Sequence, residues 1–311
     1  MSDRVVTLEA RDPGGAVDVV ADGVVLARYV YLTDAPQLES PRPYLHPVRS
    51  LAGHVVTAYR PHDHVWHKGI AWSLPGVGPH NFWGGPTFVA GQGYVQLDND
   101  GSMEHLEMLD LSSGGSAAGL AHRLVWRTQD GRAVVSETRR LGFLLTDDPE
   151  VWVLTWSSAM TNTSGEPLPL RSPTTNGRPN AGYGGLFWRG PRSFTGGTLL
   201  TATASGGDEL RGQRAAWMAF TGRHDEVDAS STVVMVDAVG NPGHPVEWFA
   251  RSENFAALCP APAFSAEVGF DPGAELRFRY ATVVADGASD PRRAGRLAAL
   301  GESALAAEAV R

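Results

Sequence analysis

Residues 133–161 read AVVSETRRLGFLLTDDPEVWVLTWSSAMT. The runs 133–145 and 151–161 are rich in β-branched and aromatic side chains, and Thr146-Asp147-Asp148-Pro149-Glu150 between them is a turn by composition, so the stretch reads as an antiparallel hairpin. In the second run Trp152, Leu154 and Trp156 alternate with Val153, Thr155 and Ser157, which puts the bulky set on one face of a strand.

The same alternation recurs in both directions. Residues 5–10, 17–21 and 24–32 are short β-branched or aromatic runs broken by Asp-Pro-Gly-Gly and Asp-Gly, the punctuation of hairpins, and read as an opening antiparallel meander. Asn162-Thr163-Ser164-Gly165-Glu166 turns the chain into residues 167–170, and further strands are expected at 215–221, 232–237, 247–250 and 276–284. The Gly/Ser stretch 112–119 reads as a hairpin loop. Only residues 290–310 have helix character, with Leu297, Leu300 and Leu305 on one face of a segment rich in Ala, Glu and Arg. The 36 Gly and 21 Pro require long loops between strands. The expectation is an all-β chain: one large antiparallel β-sandwich domain over 1–311, closed by a short C-terminal helix at 290–310.

Composition excludes several function classes. With 42% hydrophobic residues in 311, the chain can bury a substantial core. Its 26 basic and 34 acidic residues, net −8, argue against a nucleic-acid surface. The single cysteine, Cys259, excludes an internal disulfide and a thiolate metal cluster. The opening MSDRVVTLEARDPGG lacks the form of a secretory signal, and no run approaches the ~20 apolar residues of a membrane span, so a cytoplasmic protein without a membrane partner is expected.

The chemistry concentrates at residues 60–85, RPHDHVWHKGIAWSLPGVGPHNFWGG, with His62, His64, His67, His80, three tryptophans and Asn81. Imidazole titrates near neutral pH and ligates metals, so the clustering points to a site. Pro61, Gly69 and Pro75 favour a loop, from which His64 and His67, three apart, can face one ligand. Tryptophan faces beside Asn, Arg and His suit a sugar ring, whose C–H faces stack while its hydroxyls reach polar groups. A second polar cluster, RSPTTNGRPNAGYGGLFWRGPR at 171–192, offers the donors Arg171, Asn176, Arg178, Asn180, Tyr183 and Arg189, with Arg189 and Arg192 read as structural. A third is the Gly-Asn-Pro-Gly-His-Pro run at 240–245, with Asn241 and His244, followed by Trp248 and Arg251. No nucleophile elbow is present, and the apolar surroundings of Cys259 argue for an inert thiol. Histidine with a carboxylate (Asp63, Glu104, Glu107 or Glu137) is the more economical acid-base assignment.

The run HPV, followed by AGHVVTAYRPHDHVWHKGIAWSL and HNFWGG, resembles the bacterial family labelled PmoA or methane oxygenase, in which His-Pro, Thr, Asp-His-x-x-His-x-Gly and Asn-Phe-Trp recur in that order. The resemblance continues through His105, the strand around Glu137, GRPNAGYGGLFWRGP, VDAVGNPGHPVEWFAR and the final LRFRYATVVADG, and so covers nearly the whole chain. Trp66 and Lys68 stand where many relatives have His and Arg. The label is not carried over as an activity, because membrane methane monooxygenase needs transmembrane anchoring and copper and this chain has no span. The strand order, the Asn162-Thr163 turn and the Pro-Gly-Ala-Glu-Leu run before the last strand are similar to galactose mutarotase-like sandwiches. That resemblance implies a sugar bound on a broad concave sheet, with histidine and carboxylate chemistry.

These readings converge on a carbohydrate-active enzyme working by general acid-base catalysis on a sugar or keto-sugar, as an epimerase or isomerase, or a hydrolase or lyase. His64, His67, His105 and His244 are the expected catalytic residues, and Arg60, Asn81, Trp83, Arg178, Tyr183, Trp188 and Asn241 the expected substrate ligands. No cofactor is expected; were a divalent metal bound, His64, His67 and His105 would hold it. The alternatives are a non-catalytic sugar-binding or sensor module and a metal-dependent oxygenase. The expected partner is a small sugar-like molecule, with self-association into a homo-oligomer left open.

Overall fold

In the computed structural model, which describes residues 7–308, the 133–161 hairpin forms as two long strands, Ala133–Leu145 and Val151–Asn162, paired in register from Val135 opposite Asn162 to Leu145 opposite Trp152. They lie inside a nine-stranded antiparallel sheet that packs face to face on a ten-stranded one. The molecule is a large antiparallel β-sandwich with one short helix at the C-terminal end, Pro291–Glu308. The opening meander is Leu8–Arg11, Ala16–Ala21 and Val24–Val30 in the ten-stranded sheet. Residues 5 and 6 of the first expected strand, 309 and 310 of the expected helix, and the first six residues of the opening segment lie outside the described residues.

Period two explains the inner layer. Trp152, Leu154 and Trp156 point into the core between the sheets, together with Trp72, Trp126, Trp188 and Trp248. Their alternates Val151 and Val153 are not left in water: with Val234, Val236 and Val283 they form an outer apolar stripe that Ala294, Leu297, Ala298 and Leu305 of the helix cover. Two expectations need correction. The 112–119 stretch is almost entirely strand, because Ser102–Gly114 and Ala117–Arg127 pair down to a tight turn at Gly115 and Ser116. Pro75 sits within the strand Ile70–Val77, where residues 70–73 pair with Gly185–Arg189 and residues 76–77 with Leu170–Arg171; the changeover of partners falls where proline has no N–H to donate.

One polar chain crosses the core. Glu137 is buried and accepts from Arg139 Nε (2.8 Å), Trp126 Nε1 (2.8 Å) and Ser158 Oγ (2.7 Å). Arg139 Nη1 donates to the Tyr29 hydroxyl (3.2 Å), whose own proton goes to His122 Nε2 (2.9 Å); His122 Nδ1 then meets His105 Nδ1 at 3.0 Å. Every member has a partner, as burial at such depth requires. Among the described residues no helix is long and apolar enough to cross a membrane.

Candidate functional site

The site lies on the outer face of the ten-stranded sheet, and strand parity decides what reaches it. In Gly185–Arg189 the side chains of Leu186 and Trp188 enter the core while Phe187 faces out; in Glu247–Arg251, Trp248 and Ala250 go in while Phe249 goes out. Ala257, Cys259 and Ala261 of the neighbouring strand give this outer face a floor of small side chains. Trp83, Phe187, Phe249, Phe255 and Phe264 stand on it with Trp66 and Tyr183 packed against them, around a cavity of about 440 Å³.

The loop carrying the histidines is pinned from below. Glu39 is buried and accepts from Arg60 Nη2 (2.7 Å) and from the buried Lys68 ammonium, while Arg42 Nη2 donates to the Trp66 carbonyl (2.6 Å). Two successive turns, His64 N–H to the Pro61 carbonyl and His67 N–H to the His64 carbonyl, bring the imidazoles onto one side. Across the cavity mouth, Asn81 Oδ1 accepts from the Trp83 and Gly84 N–H groups (2.8 and 3.0 Å) and shapes the Trp83-Gly84-Gly85 turn. At Gly85 (φ +70°) a Cβ would stand 2.8 Å from the Trp66 indole, so only glycine lets that ring close against the turn.

His64 and His67 stack with ring centres 4.6 Å apart and planes 11° from parallel. Their tautomers follow from their partners. Arg189 Nη1 lies 2.9 Å from His67 Nδ1, and a guanidinium can only donate, so His67 accepts at Nδ1 and carries its proton on Nε2. Asp63 Oδ2 lies 3.1 Å from His64 Nδ1; an ionised carboxylate can only accept, so His64 is protonated at Nδ1 and its Nε2 lone pair is free. Burial works to raise the Asp63 pKa, but the His64 hydrogen bond and the Arg189 charge outweigh it and bring it down to about 2. Burial, joined by the His64 and Arg189 charges, holds His67 well below the usual imidazole range. His64 is lowered as well, chiefly by burial, with Asp63 acting the other way. Both rings are therefore neutral at neutral pH, one an acceptor and the other a donor. Arg189 is fully buried, its guanidinium 3.9 Å from the Phe255 ring centre and 3.3 Å from Asp63.

Of the expected site residues, His64, His67, Trp83, Arg178 and Tyr183 line the cavity. Tyr183 packs tilted against Trp83, with ring centres 4.6 Å apart, and shares a hydrogen bond with the Tyr94 hydroxyl (3.0 Å). The others lie elsewhere. His105 does not converge with His64 and His67: it lies on Ser102–Gly114 in the other sheet, against His122 and Tyr31. His244 and Asn241 both serve Asp237, at 2.8 Å each, and Asn241 also clasps the Arg279 backbone. Trp188 is fully buried with its indole N–H on the Val56 carbonyl, Arg60 is engaged by Glu39, and Asn81 is enclosed in its own turn. Sequence reasoning did not assign Tyr94, Arg211, Phe249 or Phe255 to the site, and it left Arg251 without a role there. Parity could have found Phe249 and Arg251, which alternate with the core residues Trp248 and Ala250.

Among the described residues no group of three or more His, Cys, Asp or Glu side chains is placed to hold a metal ion. The set His64, His67 and His105 is not assembled, since His105 is across the sandwich and His67 Nδ1 is taken by Arg189.

No curated protein matches the chain. Among solved structures, it is similar to two GH36 α-galactosidases of Geobacillus stearothermophilus. AgaA, solved with raffinose, is 10% identical over 91% of this chain and 41% of its own (TM-score 0.38); AgaB is 11% identical over 91% and 40% (TM-score 0.36). The chain thus spans about two fifths of the length of these two structures. A family of unknown function, DUF6807, matches residues 16–299, most of the sequence, and the chain belongs to that family.

Proposed function

We propose that this protein is a carbohydrate-active enzyme that moves a proton on a sugar or keto-sugar, as an epimerase or isomerase. The observation that carries the reading is the stacked His64–His67 pair, whose opposite tautomers Asp63 and Arg189 fix. His64 Nε2, backed by an anionic partner, is the base that takes a proton from one carbon and returns it to the neighbouring carbon in an isomerase, or to the opposite face of the same carbon in an epimerase once the planar intermediate has turned over in the cavity. The neutral His67 Nε2–H is a hydrogen-bond donor for the oxygen on which the resulting negative charge collects; with its pKa held down it polarises that oxygen without first losing a proton. The aromatic wall of Trp83, Tyr183, Phe249 and Phe255 suits a sugar face. The hydrolase alternative is less well supported, because glycoside hydrolysis ordinarily uses two carboxyl groups and among the described residues no carboxylate lines this cavity.

Deuterium exchange tests the proposal. A panel of monosaccharides and keto-sugars incubated with the protein in D2O should lose one C–H proton signal by NMR. His64→Gln should slow that exchange by roughly 10²- to 10⁴-fold with its melting temperature little changed. Uptake of sugar without exchange would make the protein a binding module, and exchange at an undiminished rate in His64→Gln would remove His64 as the base.

A further inference from the structure

The cavity holding His64 and His67 is lined by three guanidinium groups, from Arg178, Arg211 and Arg251, and, among the described residues, by no carboxylate, in a chain whose formal net charge is −8. Their commitments differ. Arg211 is tied down, with Nε on the Ala250 carbonyl (3.0 Å) and Nη2 on Asp208. Arg178 rests over the Tyr94 ring, 4.9 Å from its centre, and donates to the same residue's hydroxyl. Arg251 lies against Phe255, 5.5 Å from the ring centre, and among the described residues no carboxylate comes within ion-pair distance of it. Burial, followed by the Arg211 charge, lowers its pKa, with Asp208 opposing and Arg178 adding to the effect. Among the described residues, then, two half-buried cations with no carboxylate at ion-pair distance share one concavity with an aromatic wall. Half-buried charge with no carboxylate in contact is costly, and the Asp208 charge that reaches Arg251 is already paired with Arg211.

We infer that the ligand is an acidic sugar, a uronic or other sugar acid, whose carboxylate is received by Arg251 and Arg178 while its ring lies on the aromatic wall beside His64 and His67. The planar fork of a guanidinium matches a carboxylate oxygen for oxygen, and aromatic walls sharpen that match by excluding water. The reading also suits the chemistry: a carboxylate beside a C–H hinders removal of its proton until the negative charge is neutralised, and two guanidinium groups do that. The inference rests on the proposed sugar-proton chemistry and names its substrate class.

The test is a binding panel on the full chain, by calorimetry at low ionic strength: glucuronate, galacturonate and gluconate, the neutral sugars glucose and galactose, glucose 6-phosphate, and the non-sugar carboxylates acetate and citrate. Sugar acids should bind, weaken as salt is raised, and lose about 30-fold or more in affinity with Arg251→Gln. Arg251→Lys, which keeps the charge but not the fork, should fall between, and melting curves of both variants establish that they are folded. Equal binding of neutral sugars, preference for the phosphate, no binding of any acid, or undiminished affinity in folded Arg251→Gln would each overturn the inference. Citrate or acetate binding as well as the sugar acids would leave the anion site standing and overturn the sugar reading instead.

Discussion

Replacing Arg189 with methionine should release the His67 tautomer, and the size of the effect can be worked from the contacts. The fully buried guanidinium makes one charge-assisted hydrogen bond to His67 Nδ1 at 2.9 Å and a contact with the Phe255 ring at 3.9 Å, and reaches Asp63 at 3.3 Å. Such a hydrogen bond contributes about 1.5–3 kcal/mol and a desolvated cation–π contact up to about 2 kcal/mol, whereas the partly exposed Asp63 pairing adds at most about 1 kcal/mol. Relief of the guanidinium's own desolvation offsets several kcal/mol of this sum, while the orphaned His67 Nδ1 costs about 1–3 kcal/mol. The balance is a loss of about 2–4 kcal/mol, or a melting temperature lower by about 3–6 °C in a chain of 311 residues. The decisive readout is ¹⁵N NMR of histidine-labelled protein, with the His67 resonances identified by their loss in His67→Gln. In the unaltered protein at pH 7, Nδ1 should show the shift of an unprotonated nitrogen and Nε2 that of a protonated one. In Arg189→Met the two should move toward an average of tautomers, and the His67 pKa should rise as the repelling charge disappears. A protonated Nδ1 in the unaltered protein, or an unchanged tautomer in the variant, would refute the reasoning on which the donor role of His67 rests.

Stability should fall as pH drops below about 6.5. Burial, with the Arg139 and His105 charges, pushes His122 down to about 2, and His67 is also held low, so the unfolded chain binds more protons and each acid unit removes up to about 1.4 kcal/mol per such histidine. A urea midpoint that stays flat from pH 7 to 4 would contradict this. Gly69→Ala should destabilise by at least about 2 kcal/mol in denaturant titrations, because φ is +54° and a Cβ would stand 2.0 Å from the Leu45 carbonyl oxygen; a near-neutral result would mean that the loop carrying His67 is not held as described. Chelator treatment should shift the melting temperature by less than about 1 °C, and elemental analysis should find well under one equivalent of zinc, iron or manganese; a stoichiometric metal whose removal lowers the melting point would reverse that expectation.

The strands legible in the sequence are those whose alternation is uninterrupted, such as Val151–Asn162 and Glu275–Asp286, and those flanked by Asp-Gly or Asp-Pro turns. Ile70–Val77 and Gly185–Arg189 were hidden because Pro75, Gly184 and Gly185 signal loops locally, whereas here they mark a change of pairing partner and a close approach to Pro260. In the site, the spacing of His64 and His67 was informative because consecutive turns bring them together through local geometry. His105 and His244 carried the same residue signal, but which layer of a sandwich a strand joins depends on pairings between distant segments, and composition does not encode those. Arg189 shows how a structural reading and a functional one can coincide: it is wholly buried, as a structural arginine should be, and what it structures is the protonation of His67.

The nine-stranded sheet contains one more consequence, for synthesis. Its last strand in sequence, Glu275–Asp286, lies between Ser230–Asp237 and Val151–Asn162, so those two strands meet only through a partner synthesised after both. Until then each presents an open edge of valine- and tryptophan-rich backbone, which a neighbouring nascent chain could extend. The helix that seals the outer stripe is made later still. A chain arrested after Ser230–Asp237 but before residue 275 therefore holds two half-sheets, each with an open edge waiting for the same missing strand, rather than a partly finished domain.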